Sequence, residues 1–82
     1  MSAELLLERV VSFLVAREHR SERRQIVTAP FIAGQLGVSL PEMVSALENV
    51  PDYGEGVGES GLRRRTWVLD GVPLFVYFLN PT

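Results

Sequence analysis

The sequence predicts an α+β fold of three helices closed by a C-terminal β-hairpin, with one short extra strand between the first two helices. Three observations carry this. Apolar residues at Leu6, Leu7, Val10, Phe13 and Leu14 recur at helical spacing. Gly37 followed by Ser39 and Glu42 reads as one helix stopping and the next starting. Asp70-Gly71 sits between two runs rich in β-branched and aromatic residues, the strongest short hairpin signal.

The first helix spans Ala3 to about Glu18, with Ser2 as its cap. Leu5, Val11 and Val15 widen its apolar surface beyond one stripe, which suggests cover on a second side, as by another copy of the chain. Charge dominates Arg17 to Gln25, which reads as a solvated helix end and loop. Ile26 and Val27 make Gln25–Thr28 a short extended piece. Pro30 then opens a second helix, which runs through Phe31, Ile32, Ala33 and Leu36 and stops at Gly37. Ser39 and Glu42 form a capping box with Pro41 in the first turn, and the third helix covers Leu40 to about Asn49. Its inward side chains are expected at Met43, Ala46 or Leu47, and Val50. The hairpin strands are Arg63–Leu69 and Val72–Leu79.

At 82 residues there is room for one hydrophobic core, so residues 1–82 are read as a single domain. An apolar share of 46% against 22% charged residues is that of a globular domain and argues against a disordered tail. The chain has no cysteine, which excludes disulfides, thiolate nucleophiles and Cys-based zinc sites. The apolar run Val72–Leu79 is far short of the roughly 20 residues of a membrane span. Glu4, Glu8 and Arg9 break any signal-peptide pattern, so the chain reads as cytoplasmic and unprocessed.

Enzymatic constellations are not expected. The single histidine, His19, lies in the charged run and reads as solvated, and no catalytic residue, metal site or cofactor is assigned. Gly56-Val57-Gly58-Glu59-Ser60-Gly61 fits the dinucleotide-loop formula, but a strand follows it where that formula needs a helix. Asp52, Glu55 and Glu59 would also repel a pyrophosphate. Asn80-Pro81-Thr82 is void as a glycosylation site because proline occupies the middle position.

The stretch from Ile32 through Ala33, Gly37, Val38, Ser39, Met43 and Leu47 resembles the helix-turn-helix of bacterial and archaeal transcription regulators. Ala33 is the small residue where the helices approach, Gly37 makes the turn, Val38 plugs the corner beneath it, and Met43 and Leu47 face inward. With the hairpin downstream, the element order resembles that of the winged helix-turn-helix family over most of the chain. Which loop is the wing stays open between Asp70-Gly71 and the glycine-rich Tyr53–Gly61 stretch. The glycine-rich stretch is favoured, although it needs a strand around Val50–Tyr53 that Pro51 makes poor. The terminal strand would then be an addition to the usual pattern.

The resemblance implies a regulator that binds double-stranded DNA, with the third helix in the major groove. Its outward positions are Ser39, Leu40, Pro41, Val44, Ser45 and Glu48, of which Ser39, Leu40, Pro41 and Ser45 are the expected contacts. That set holds no cation, a departure from the family's habit that puts base reading in doubt. The overall charge is −2, so phosphate contact falls to Arg63, Arg64 and Arg65 on the hairpin, with Arg23 and Arg24 after the first helix. Alternation sends Arg63 and Arg65 to one strand face with Trp67, and Arg64 to the other. Against this stands a plainer reading, in which these arginines pair with acids of the preceding loop and form a solvated edge. A homodimer is expected for paired half-sites. The alternative function is a winged-helix module for protein contact, supported by the cation-free third helix and by Val72–Leu79 as a strand able to join a partner's sheet.

Overall fold

The computed structural model describes residues 2–53 and 61–79. Helix α1 (Ala3–Ser21) is capped by Ser2, whose Oγ accepts a hydrogen bond from the Leu5 amide at 3.2 Å. Leu6, Val10 and Leu14 are its fully buried stripe. It runs beyond the expected Glu18 to Ser21 because Arg17–Ser21 favours the helix while staying partly solvated. His19 and Arg20 in the last turn also suit the negative end of its dipole. Glu22 closes it at φ 57°, donating its amide to the Glu18 carbonyl at 2.8 Å.

Helix α2 (Ala29–Leu36) starts at Thr28, whose Oγ1 accepts from the Phe31 amide, with Pro30 in the first turn where its missing N–H is not needed. It ends at Gly37, where φ is 71°, and the next amide, Val38, donates back to the Ala33 carbonyl at 3.1 Å. Two residues on, Ser39 caps α3 (Leu40–Leu47) by accepting from the Glu42 amide at 3.3 Å. Helix α3 stops two residues short of Asn49, giving way to a tight turn held by Val50 donating to the Leu47 carbonyl. The break at Gly37 is what lets two eight-residue helices pack on α1 instead of one long rod. Ile32, Ala33, Met43, Ala46 and Leu47 meet Leu6, Val10 and Leu14 in one core. Each large side chain buried there contributes about 1.5–3 kcal/mol.

Strands β1 (Leu62–Leu69) and β2 (Val72–Leu79) pair antiparallel, with Leu69 opposite Val72 and Leu62 opposite Leu79. Asp70 and Gly71 both have positive φ, 52° and 78°, the backbone a two-residue hairpin turn demands. Three helices followed by this hairpin make an α+β layout consistent with a winged helix. The extra strand expected at Gln25–Thr28 is reduced to a single antiparallel bridge, Val27 to Tyr77, because the chain must already cap α2 at Thr28. The strand required around Val50–Tyr53 is likewise one bridge, Asp52 to Arg64, since Pro51 offers a carbonyl but no N–H. Most of the favoured glycine-rich wing, residues 54–60, lies outside the described residues.

The hairpin is covered on both faces at its base. Leu62 and Tyr77 enter the helical core. On the opposite face Val76 and Phe78 are buried, with the Tyr53 ring 5.6 Å from that of Phe78 and the Arg24 guanidinium 5.8 Å above it. The outer half projects: Val68, Leu69, Val72 and Phe75 are all more than half exposed. Among the described residues no helix is long and apolar enough to cross a membrane.

Candidate macromolecular interface

The outward face of α3 follows from its cap and its stripe. Met43, Ala46 and Leu47 turn inward, which leaves Leu40, Pro41, Val44 and Ser45 exposed, with Leu40 at 44% and Val44 at 53%. Ser39 is exposed too, but its hydroxyl already accepts the Glu42 amide. The charges on this face are the acids Glu42 and Glu48. The expected contact residues of α3 therefore share one surface, and that surface is apolar and acidic.

The arginines separate. Arg63 is 4% exposed, with Nη1 donating to its own neighbour's carbonyl, Leu62, at 2.8 Å. The expectation that it reaches phosphate is corrected: it lies at the buried base of its strand face beside Val76 and Phe78, while the same face opens to solvent further out at Arg65 and Trp67. Arg64 donates from Nε to Asp52 Oδ1 at 2.7 Å, and its guanidinium lies 4.6 Å from the Phe75 ring centroid. That is the pairing with loop acids which the plainer reading of the triplet described. Arg65 is exposed and sits 5.7 Å from the Tyr53 ring. Arg23 is exposed, and Arg24 is exposed while stacking on Phe78.

Of the expected phosphate contacts, Arg24 and Arg65 come together. They line one cleft of about 80 Å³ with Ile26, Tyr53 and Trp67. This is well below the roughly 300–1,000 Å³ of small-molecule sites, so it suits a surface contact and not an enclosed ligand. Among the described residues no group of three His, Cys, Asp or Glu side chains converges as metal ligands would.

Two arginines hold structural posts that the sequence reading missed. Arg17 is half-buried between Phe13 and Phe31, 5.5 and 5.1 Å from their ring centroids, and donates from Nε to Gln25 Oε1. Its spacing of four from Phe13 on α1 was a readable signal. Arg9 reaches the Leu36 carbonyl at 3.0 Å, placing a cation at the negative end of α2. Nothing local in the sequence joins those two positions, 27 residues apart.

Among the described residues, the phenol of Tyr77 is perturbed. Burial pushes its phenol above the ordinary 10.0; the nearby Arg64 guanidinium pulls it down and Asp52 pushes it further up. Compared with known proteins, the chain matches no family model, no curated protein and no solved structure.

Proposed function

We propose that this chain is a winged-helix domain used for protein contact, with the exposed face of α3 as its docking surface. One observation carries the reading: the helix that would enter a DNA groove exposes the apolar Leu40 and Val44, carries only the acids Glu42 and Glu48 as exposed charges, and has no cation. A duplex carries one negative charge per roughly 1.7 Å of axis, so an acidic face lacks both attraction and counterion release. The same face loses about 25 cal/mol per Å² of apolar area left in water and regains it against a partner. The hairpin supports this, because its outer half is apolar with Asp70 at the turn, and Arg63 is withdrawn from solvent.

A second reading, a DNA-binding regulator, is favoured by the convergence of Arg24 and Arg65 beside Trp67 and Tyr53, with Arg23 nearby in sequence. Such contacts go to phosphates and carry no base reading. Fluorescence anisotropy on mixed-sequence duplex DNA at low and moderate salt separates the two. Protein contact predicts, at most, weak binding at low salt that vanishes at moderate salt. Binding that persists at moderate salt, and falls when Arg23, Arg24 and Arg65 are neutralised, would favour the DNA reading.

A further inference from the structure

We propose that the free edge of β1 pairs antiparallel with β1 of a second copy, about a two-fold axis at Trp67. The inference concerns the hairpin edge and does not depend on what α3 binds. It starts from which backbone groups point outward. In an antiparallel pair, alternate residues turn their N–H and C=O away from the partner strand. Arg64 is such a residue, since its amide donates to the Pro51 carbonyl at 2.9 Å and its carbonyl accepts from the Tyr53 amide at 2.7 Å. Counting by two, Thr66 and Val68 also point outward, and neither has an edge hydrogen bond among the described residues. Four backbone groups in a row are thus unpaired on a strand whose flanking side chains are apolar and exposed, the arrangement that templates another strand.

The opposite edge is poorer, although β2 is the strand the sequence suggested for this role. Of its outward residues, Tyr77 is taken by Val27, through bonds of 3.0 and 2.7 Å, and Pro73 has no N–H. Only Phe75 is left between them.

The β1 edge is self-complementary in one register. Hydrogen-bonded pairs of Thr66 with Val68 of the second copy, and the reverse, satisfy all four groups and set Trp67 opposite its own counterpart. Arg65 then faces Leu69 of the second copy. One step further, Asp70 of each copy would fall at Arg64 of the other, whose guanidinium and backbone edge are already held by Asp52 and its neighbours. The pairing stops there, where the Pro51–Tyr53 segment already occupies the edge. Trp67, Val68 and Leu69, which are 39%, 66% and 56% exposed, gain cover from the second copy.

The test is sedimentation equilibrium of the full chain from micromolar to near-millimolar concentration, with two kinds of variant. Thr66→Pro removes one outward N–H and leaves the β1–β2 ladder intact, so it is expected to weaken the dimer by about tenfold or more while circular dichroism stays native. Because the chain has no cysteine, Trp67→Cys places the only thiols opposite each other at a non-hydrogen-bonded pair. There Cα atoms are about 4.5 Å apart, within disulfide reach. Oxidation is expected to link it as a covalent dimer, as it should a mixture of Arg65→Cys with Leu69→Cys, while Leu69→Cys alone forms no disulfide-linked dimer. A chain that is monomeric throughout overturns the proposal. So does a dimer that Thr66→Pro leaves unchanged, or one in which Leu69→Cys links to itself and Trp67→Cys does not. If Thr66→Pro fails to fold, the cysteine pattern decides.

Discussion

Gly34 and Gly37 stand three residues apart, yet the same substitution to alanine should act on them with opposite sign. At Gly37 a Cβ would meet nothing within 4 Å, so no clash contributes; the cost is purely that of holding an L side chain at φ +71°. That conformation costs roughly 1–2 kcal/mol. Gly34 lies inside α2, and a Cβ there also meets nothing within 4 Å. Alanine is favoured over glycine in a helix by about 0.8–1.0 kcal/mol, so Gly34→Ala should stabilise by nearly that amount. The difference between the two variants is therefore about 2–3 kcal/mol, against a total stability of about 5–15 kcal/mol for a small domain. Urea denaturation, followed by Trp67 fluorescence and helical circular dichroism, reads it directly: the midpoint rises for Gly34→Ala and falls for Gly37→Ala at unchanged slope. Equal shifts of the same sign, or a neutral Gly37→Ala, would refute the claim that this glycine is what folds α2 and α3 across each other.

Other perturbations test the core, the edge and the phenol. Leu47→Ala, at a site with no exposed surface, should cost about 2–5 kcal/mol in the same assay and leave a marginal fold. Arg64 and Asp52 are 25% and 51% exposed, so a double-mutant cycle should return a coupling of only about 0.2–1 kcal/mol that shrinks with salt. Arg64→Ala should nonetheless cost more than Asp52→Ala, because it also removes the guanidinium from the Phe75 ring. The buried phenol of Tyr77 titrates higher folded than unfolded, so its stabilising effect is complete below pH 10.0 and fades as pH rises through the elevated folded value. Tyr77→Phe should abolish that alkaline loss in a pH series of urea midpoints.

The helices were legible because their signals are local. Ser2, Thr28 and Ser39 lie where caps must lie, and the stripe of Leu6, Val10 and Leu14 announces its own buried face. Asp70-Gly71 fixed the hairpin register for the same reason. The fate of Arg63 was not local. Alternation assigns it a face but does not say that Tyr53, Ile26 and Arg24 fold over that face from distant segments. A hint was present all the same: Val72–Leu79 is apolar at odd and even positions alike, as in a strand covered on both sides. Of the candidate interface, the cation-free α3 surface could be read from Ser39–Leu47 directly. The capture of Arg64 by Asp52, and the free edge at Thr66 and Val68, required knowing that Pro51–Tyr53 runs beside β1 for a single bridge.

The central claim, that α3 presents a protein-docking face, is tested most directly by placing a photo-crosslinking phenylalanine analogue at Val44 in the chain's native cells, with Arg20 as the comparison site. Protein contact predicts a discrete, saturable protein adduct at position 44 and none at position 20. Nucleic-acid adducts at position 44, or equal labelling at both sites, would contradict it.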